Sequence, residues 1–299
     1  MCRAVLTASM TIQDCRQFYS EEMRLLAGIR TPGLVEAFRR VPREELLGPP
    51  PWQIASADQG ALTMAYVGPA AYTTTEDPCD LYHNVLVAID AARQLNNGQP
   101  SALARWIDAL DLKPGGRVFH LGCGVGYYTA IMAEVVGRAG TVVACEVDSA
   151  IAARAKCNLT GYPNVTVQVG DGAAFDPGMC DAMLINAGVT NPLPAWLDRL
   201  SEGGRLVLPL TTSMGGPFGS GVMVKITRER EGLSAQVITF VAIFSCTSAR
   251  DPQLDPVIAK SLSSRALLKL KSVRTDTHEP ADSCLVHGQG VCLSSGESR

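Results

Sequence analysis

The stretch VFHLGCGVGYYTA, residues 118–130, runs from a short apolar segment through three closely spaced glycines into a helical pattern. Gly122, Gly124 and Gly126 lack a Cβ, so the backbone can turn sharply there and approach a ligand closely. A dinucleotide-binding turn would have its third glycine where this chain has Tyr127. The spacing therefore predicts a nucleotide-like cofactor without a pyrophosphate, bound at the carboxyl edge of a parallel sheet.

Two acidic markers follow this turn, at the ends of the next two predicted strands. Glu146 in ACEVD lies 20 residues beyond Gly126, where a carboxylate can accept hydrogen bonds from both hydroxyls of a ribose. Asp171-Gly172 follows the strand VTVQVG, in a position to meet an adenine amino group. Because the three markers fall at the ends of three successive strands, they favour a cofactor site over a merely structural glycine turn.

Segments typical of strands and helices alternate from residue 113 onward. The strands are RVFHLG, TVVACEVD, VTVQVGDG, AMLINAG and RLVLPL, and helical patterns lie between them. VMVKITRE and LSAQVITFVAIFSC follow, separated only by charged residues and a glycine, as in a β-hairpin. We therefore expect an α/β fold, with a Rossmann-like, doubly wound and mostly parallel sheet that ends in an antiparallel hairpin.

The flanking segments show weaker patterns. Apolar residues at three- and four-residue spacing predict helices over 14–48 and 81–95. Residues 49–80 are rich in Pro, Gly, Ala and Thr without a clear period, which indicates an irregular loop. Beyond the hairpin, 252–272 is predicted to be helical and 273–299 to form an irregular tail.

The chain has no internal repeat and divides by pattern into three parts. Residues 1–112 would hold the N-terminal helices and a substrate or lid segment, including a helix capped by Ser101. Residues 113–250 would form the cofactor-binding domain, and 251–299 a C-terminal helix and tail.

Composition narrows the classes of function. The 299 residues are 46% hydrophobic, with 26 basic and 29 acidic side chains and a net charge of −3. That balance excludes a disordered chain and gives no electrostatic reason to bind nucleic acid or an anionic membrane. No apolar run approaches the roughly 20 residues of a membrane span, and the first 15 residues make a poor signal peptide. We expect a soluble cytoplasmic protein without nucleic-acid or membrane partners.

The ten cysteines are scattered, and no CxxC pair occurs, so we expect reduced thiols that pack as small apolar groups. Cys284, His287 and Cys292 in CLVHGQGVC could ligate zinc, and Cys246 could complete a tetrahedral set. The alternative is a glycine-rich turn between two short strands with packed thiols. Because the spacing matches no standard zinc pattern, no metal site is predicted.

The motifs resemble class I S-adenosylmethionine-dependent methyltransferases and, more narrowly, the protein-L-isoaspartate O-methyltransferase family. LKPGGRVFHLGCGVGYYTAIMAEVVG, NVTVQVGDG and LSEGGRLVLPL are similar to its cofactor-binding strands, and AFRRVPREELLGPP and GQPSALARWIDAL to its N-terminal helix and QP-containing segment. The resemblance covers roughly residues 20–250 and implies S-adenosylmethionine as cofactor and S-adenosylhomocysteine as product. The residues that it assigns to cofactor binding are Gly122, Cys123, Gly124, Val125, Gly126, Glu146, Val147, Asp171, Gly172 and Asn186, with Thr247–Asp251 nearby.

The segment before the QP pair departs from the family pattern. The family carries a Thr-Ile-Ser triplet there, and its serine hydroxyl meets the methyl-accepting carboxylate. The matching positions in this chain are Asn96, Asn97 and Gly98, so that hydroxyl is absent. We therefore expect isoaspartyl peptides to be poor acceptors, unless an asparagine amide takes over the hydroxyl's part.

Four residues near this segment are the catalytic candidates. His83, beside Tyr82, could act as a base for a phenol, hydroxyl or amine acceptor, because histidine is the usual proton acceptor near neutral pH. The alternative is that His83 only caps or packs a helix. Asn97 and Gln99 offer amides that could hold a carboxylate or amide substrate, although Asn97-Gly98 could be simply a turn.

Three functions remain open. The leading prediction is O-methylation of a carboxylate on a peptide or protein, related to isoaspartate methylation. The second is a methyltransferase of the same fold that acts on a small molecule or a modified peptide. The third is a protein that binds S-adenosylmethionine without turnover and regulates a partner.

Overall fold

A computed structural model describes residues 10–60, 63 and 68–297 of the chain. Its helices are α1 (Ile12–Ala27), α2 (Pro32–Arg40), α3 (Arg43–Leu46), α4 (Pro100–Ala109), α5 (Tyr127–Val136), α6 (Ser149–Asn158), α7 (Pro194–Asp198) and α8 (Asp255–Ser263). Its first strands are β1 (Trp52–Ser56), β2 (Thr73–Thr75), β3 (Val85–Asp90), β4 (Leu95–Asn96), β5 (Arg117–Leu121), β6 (Thr141–Glu146) and β7 (Val165–Val169). The later strands are β8 (Cys180–Ile185), β9 (Leu200–Ser213), β10 (Phe218–Glu229), β11 (Gly232–Phe244), β12 (Ser272–Arg274), β13 (Cys284–Gly288) and β14 (Val291–Ser294).

The larger sheet has ten strands in the order β13-β14-β12-β11-β10-β9-β8-β5-β6-β7. Strands β7, β6, β5, β8 and β9 run parallel, whereas the remaining neighbours pair antiparallel. The predicted α/β fold class is thus confirmed. The antiparallel part is longer than the expected hairpin, because the C-terminal tail adds three strands to the sheet. The prediction of an irregular tail over 273–299 is therefore wrong.

A second sheet of four strands, β2-β1-β3-β4, is antiparallel and holds the segment before α4. It overturns two predictions, because 49–80 is not wholly irregular and 81–95 contains strand β3 rather than a helix. The sequence VLVAID is a short apolar run with β-branched residues, and such a run cannot be told from a helix by spacing alone.

The N-terminal helices form as predicted over 14–48. Thr11 and Asp14 cap α1 reciprocally, and Gly28 ends it in the left-handed conformation that glycine adopts without strain. Helix α4 begins at Pro100 with Gln99 as N-cap, so Ser101 is not the cap. The backbone N–H of Ser101 instead donates to Asn84 Oδ1 over 3.0 Å.

Apolar side chains cover both faces of the larger sheet. Helices α1, α2, α4 and α5 pack on one face, and α7 and α8 pack on the other, in a core to which the C-terminal strands also contribute side chains. Leu267, Val273 and Leu293 are almost fully buried in the second of these cores. The described part of the C-terminal segment, residues 251–297, therefore shares a core with the sheet and is not a separate tail.

One disulfide joins Cys15 of α1 to Cys79, in the 3-10 turn Pro78–Leu81. This corrects the expectation that all the thiols are reduced; seven other cysteines of the described residues are free. Within the same part of the chain, no helix is both long and apolar enough to cross a membrane.

Candidate functional site

A cavity of about 760 Å³ opens at the carboxyl ends of β5, β6 and β8. Residues from the loops that follow these strands form one wall, and the segment Asn96–Gln99 and the end of β11 form the others. Ligands of open parallel sheets bind at this edge, in the crevice where the loops diverge. The cavity therefore lies where the sequence predicts the cofactor.

The glycine-rich turn after β5 has a backbone that other residues would not readily adopt. Gly122 and Gly124 have φ of 75° and 56°, in the left-handed region. A Cβ on Gly122 would lie 3.1 Å from the Asn186 carbonyl oxygen, which is tighter than ordinary contact. The turn is held from below by the N–H of Gly122, which donates to the Cys145 carbonyl over 2.8 Å. These glycines leave open a cradle that side chains would fill.

Glu146 ends β6 and presents its carboxylate to the cavity. Its Oε2 accepts the N–H of Gly124 at 2.9 Å, and its Oε1 accepts the N–H of Asp148 at 3.1 Å. A carboxylate has about four acceptor positions, so roughly two remain for a ligand. The two backbone bonds fix the carboxylate's orientation before any ligand arrives.

Asp171 and Gly172 follow β7 at the same rim. Asp171 Oδ1 accepts the N–H of Ala173 at 2.9 Å, an arrangement that holds the side chain in place. A Cβ on Gly172 would lie 2.8 Å from Leu121 Cγ, so this position accepts only glycine without rearrangement. Both residues line the cavity.

Most of the predicted cofactor residues meet at this cavity. Val125 does not reach it, because its side chain is fully buried against β3 and α6. Gly126 begins α5 with φ 95°, and a Cβ there would lie 2.7 Å from Leu159 Cδ1, so its requirement is structural. The predicted residues that do line the cavity are Gly122, Cys123, Gly124, Glu146, Val147, Asp171, Gly172 and Asn186.

Asn97 and Gln99 line the opposite wall, as predicted for the acceptor side. Asn97 is only 8% exposed, and its Nδ2 is buried with no hydrogen-bond partner among the described residues. Its backbone N–H donates to the Val87 carbonyl over 2.8 Å, which anchors the residue to β3. An unpartnered buried amide is costly, so this side chain is suited to donate to a ligand.

Gly98 beside it has φ 78°, and a Cβ there would lie 2.9 Å from Leu103 Cδ2. A serine at this position would therefore be strained. The backbone conformation at Gly98 favours glycine. This chain therefore differs from the family pattern in its local backbone as well as in the absence of the serine hydroxyl.

The structure does not bring Tyr82 or His83 to the cavity, and this corrects the predicted catalytic set. The Tyr82 hydroxyl accepts from Arg16 Nε at 3.0 Å and from the Arg43 N–H at 2.9 Å, and it donates to Glu44. His83 is exposed and packs edge-on against Phe18, with ring centroids 6.2 Å apart. Both side chains therefore belong to the contact with the N-terminal helices.

Aromatic side chains that the sequence did not single out complete the cavity walls. Phe218 and Phe244 pair across β10 and β11 with ring centroids 4.4 Å apart, and Phe240 at the rim is 71% exposed. The segment TFVAIF carries this signal, since it places two aromatic residues on one strand end. Of the segment Thr247–Asp251, only Thr247 lines the cavity. Cys246 lines it too, far from the tail cysteines in sequence.

Charge near the cofactor wall is dominated by acidic groups and buried thiols. Glu146, Asp148 and Asp171 line it, with Arg93 paired to Asp148 at 2.6 Å. Burial, reinforced by Glu146, raises the pKa of the Cys123 thiol well above its usual range. Burial also raises the pKa of Cys145, to about 11, so both thiols stay protonated and are poor nucleophiles.

A parallel sheet with a glycine turn, an acidic residue ending the next strand and a cavity at its carboxyl edge defines the class I methyltransferase fold. A solved protein-L-isoaspartate O-methyltransferase structure shares this fold, with a TM-score of 0.60 at 22% identity over 83% of this chain and 70% of that one. The family model for protein-L-isoaspartate(D-aspartate) O-methyltransferase matches residues 27–244, and the chain belongs to that family. The predicted family resemblance is thus confirmed.

Named relatives agree with this assignment. A protein-L-isoaspartate O-methyltransferase of Methylorubrum populi is 31% identical over 211 residues, covering 69% of this chain and 82% of the relative. A relative of the same name from Archaeoglobus fulgidus is 35% identical over 43% of this chain and 63% of its own. The match to the Thermotoga maritima relative spans 51% of that protein, at 31% identity over 60% of this chain. The chain thus spans less than two thirds of the last two relatives.

A Plasmodium falciparum protein of this description, solved in complex with S-adenosyl-L-homocysteine, has the same fold. Its TM-score is 0.55 at 17% identity, with 78% of this chain and 98% of that one covered. The family match ends at residue 244, so the strands β12–β14 lie outside it.

Proposed function

We propose that this protein is an S-adenosylmethionine-dependent methyltransferase whose acceptor is a carboxylate on a peptide or protein. One observation carries the proposal. In a single cavity, the glycine turn and the Glu146 carboxylate lie on one wall, and the buried, unpartnered Asn97 amide lies on another. The first wall suits a nucleoside, and the second suits an acceptor with lone pairs.

The residues on the first wall fit the cofactor. S-adenosylmethionine supplies a methyl group on a sulfonium, which a nucleophile takes by direct displacement. The remaining acceptor positions of Glu146 suit the ribose hydroxyls, because charge-assisted hydrogen bonds are strong. Gly122 and Gly124 let the backbone approach the ligand, and Asp171 can accept from the adenine amino group.

The second wall favours an acceptor that is already ionised. A carboxylate has a pKa near 4 and is a nucleophile at neutral pH without a base, whereas a phenol or amine needs one. The predicted base, His83, does not line the cavity, and neither does Tyr82 beside it. The Asn97 amide can orient a carboxylate by donating to one of its oxygens, which leaves the other oxygen free to attack.

The local backbone at Gly98 supports a narrower point about the acceptor. By family resemblance a serine hydroxyl meets the substrate here, and Gly98 has neither the side chain nor the φ that would suit one. We therefore propose that isoaspartyl peptides are weaker substrates than the protein's own acceptor. The same observation supports the second candidate, a small molecule or modified peptide as acceptor.

The first test concerns the cofactor wall. Calorimetry would measure the affinity for S-adenosylhomocysteine of the native protein, Glu146→Gln and the control Glu202→Gln, whose side chain lies outside the cavity. Loss of charge-assisted hydrogen bonds should weaken binding about 10- to 100-fold in Glu146→Gln only. Equal affinities in the two variants would overturn the assignment of Glu146.

The second test concerns the acceptor wall. Labelled S-adenosylmethionine would be offered with isoaspartyl peptides, other carboxylate peptides and small acids. With the best acceptor, Asn97→Ala should lower kcat/KM about tenfold or more and leave cofactor affinity unchanged. The exposed Gln53→Ala serves as control. Full turnover in Asn97→Ala would place the acceptor elsewhere, and cofactor binding without methylation of any acceptor would favour the regulatory alternative.

A cytoplasmic location stays a prediction, as does the expectation of no nucleic-acid or membrane partner. The Cys15–Cys79 disulfide argues against the reducing cytoplasm, because disulfides persist mainly in oxidising compartments. The free thiols would be alkylated during isolation from the native host and then counted. Unmodified Cys15 and Cys79 would indicate an oxidising compartment, and alkylated ones the cytoplasm.

A further inference from the structure

We propose that the C-terminal tail binds one zinc ion through His278, Cys284, His287 and Cys292. The four side chains each offer one ligand atom, and these atoms all lie within 4.8 Å of one another. In a tetrahedral zinc site, metal–ligand distances of about 2.0–2.3 Å place the ligand atoms roughly 3.3–3.8 Å apart. The cluster needs only a small contraction to reach that geometry.

The hairpin itself explains why three of these side chains meet. His287 and Cys292 are directly opposite each other across β13 and β14, so their side chains share a face of the sheet. Cys284 is three residues before His287 and would face the other way in a regular strand. A register shift between Cys284 and Val286 inserts an extra residue and turns Cys284 to the same face.

The fourth ligand comes from the loop before the hairpin. His278 Nε2 lies 3.5 Å from Cys284 Sγ, and the rings of His278 and His287 have centroids 4.9 Å apart. The Nδ1 of His278 lies 2.9 Å from the Asp276 carbonyl oxygen. A carbonyl only accepts, so Nδ1 carries the proton and the Nε2 lone pair of the neutral ring points at the cluster. Metal-bound histidines are typically held by such a second hydrogen bond.

Two further observations favour a metal at this cluster. The Nδ1 of His287 is buried with no hydrogen bond to any described residue, a costly state for an imidazole. The backbone N–H of Ala281 points to Cys284 Sγ at 3.3 Å, as it would to a thiolate. Cys292 is almost completely buried, so the cluster is partly screened from water.

The two sulfur and two nitrogen donors of this cluster favour zinc over other metals. Two thiolates and two imidazoles in a tetrahedral arrangement are typical of structural zinc, and four protein ligands leave no open position for catalysis. The sequence analysis considered Cys246 as the fourth ligand, whereas the structure brings His278, from a loop, to the other three side chains. The site lies in a segment beyond the family match and has no part in the proposed methyl transfer.

Metal content and cobalt spectra would test the proposal on the full chain, purified under reducing conditions. We expect one zinc per chain and, after exchange with cobalt(II), the visible bands of a tetrahedral thiolate site. His278→Ala should weaken zinc affinity more than the about 10- to 100-fold typical of losing an outer-sphere partner. Cys246→Ser should bind zinc like the native protein.

His278 is only half-buried, so its variant separates loss of metal from loss of fold; its far-ultraviolet spectrum should be native. A reduced native protein that takes up no zinc or cobalt would overturn the proposal. So would equal zinc affinity in His278→Ala and the native protein, or a Cys284–Cys292 disulfide that forms in the purified protein and resists reduction. None of these results depends on methyltransferase activity.

Discussion

Two clusters of buried or partly buried polar side chains, one near each end of the chain, differ in how their polar atoms find hydrogen-bond or ligand partners. At the N-terminal end, the Arg43 guanidinium is fully buried and donates to the carbonyls of Leu81, His83 and Val85. At the C-terminal end, His287 and the two tail cysteines have ligand atoms within 4.8 Å of one another, and the buried Nδ1 of His287 has no hydrogen-bond partner among the described residues. A buried polar group is costly without a partner. The guanidinium of the first cluster donates to protein carbonyls, whereas the second cluster gathers metal-ligating atoms that a bound ion would satisfy.

Aromatic rings hold Arg43 in addition to the carbonyls. The guanidinium lies 5.4 and 5.6 Å from the ring centroids of Tyr19 and Tyr127, although its Nε has no hydrogen-bond partner among the described residues. It ties α3 to the segment that leads into β3 and thereby supports one side of the cavity. A stability experiment should therefore find the N-terminal cluster sensitive to loss of its own side chains and the C-terminal cluster sensitive to metal.

Replacing Arg43 with methionine should have the largest effect. Three carbonyls, of which that of Leu81 is buried, lose their donor at about 1 kcal/mol or more each, so the free energy of unfolding should fall by about 3 kcal/mol. Urea denaturation would measure this. Arg39→Met, which removes only an exposed pair with Glu36, should change stability by less than about 0.5 kcal/mol. Similar losses in both variants would mean that Arg43 is not the organising group of its cluster.

His120 sharpens the comparison, since it is a buried imidazole with no sulfur ligands beside it. Its Nδ1 pairs with Thr129 Oγ1 at 2.9 Å, and burial lowers the pKa of the ring to about 3. Below about pH 6.5 the unfolded chain binds a proton at this ring that the folded chain does not bind until about pH 3. Stability should therefore fall as the pH falls through this window, by up to about 1.4 kcal/mol per unit.

Denaturation at several pH values would show this slope, and His120→Leu should remove that part of it whatever its effect at pH 7. If the pH dependence of stability is the same in His120→Leu and the native protein, the folded and unfolded chains protonate this imidazole at the same pH. His120 would then not be a buried neutral imidazole.

Tyr82→Phe should have a moderate effect on the N-terminal cluster. The variant removes the hydroxyl that joins Arg16, Arg43 and Glu44, with a cost of about 1–2 kcal/mol. Methyl transfer by the folded variant should stay near the native rate, because Tyr82 lies outside the cavity. The half-buried Tyr162→Phe is a suitable control for the loss of a hydroxyl. A large loss of kcat with unchanged stability would restore Tyr82 to the catalytic set.

His287→Leu should have the smallest effect, provided that metal is absent. A leucine replaces an imidazole whose Nδ1 has no partner, so metal-free stability should change by less than about 1 kcal/mol. With zinc at about 100 times its Kd, only the native protein should gain about 2.7 kcal/mol. Thermal unfolding with and without zinc would measure both values. A loss above about 2 kcal/mol in metal-free protein would mean that the C-terminal cluster is complete without a ligand.

The sequence predicts well what depends on the order of strands along the chain. Gly122, Glu146 and Asp171 each follow a strand of the parallel half, and parallel strands bring their carboxyl ends to one edge. The fold class, and the meeting of these residues at one cavity, could therefore be predicted from the sequence. Asn97, on the opposite wall of that cavity, was singled out because it lies next to a segment that resembles the family.

The sequence predicts poorly what depends on contacts between distant segments. The apolar run of β3 has the length of a strand or of a short helix, and only its pairing with β1 decides between them. The hydroxyl of Tyr82 is directed by Arg16 and Glu44, 66 and 38 residues away. His278 joins the tail cysteines through an irregular loop, and the Cys15–Cys79 pair spans 64 residues. No local pattern encodes such pairings.

Strand β11 serves both the tail and the cavity, but at opposite ends. Leu233 near its start pairs with Val273 of β12, whereas Phe240 stands at the rim of the cavity. At about 3.4 Å per residue, the two positions are roughly 24 Å apart along the strand. Substitutions at the cavity end of β11 should therefore leave the packing of the C-terminal strands unchanged. A fusion after β14 should likewise leave the acceptor wall unchanged, so the two ends of the strand can be engineered separately.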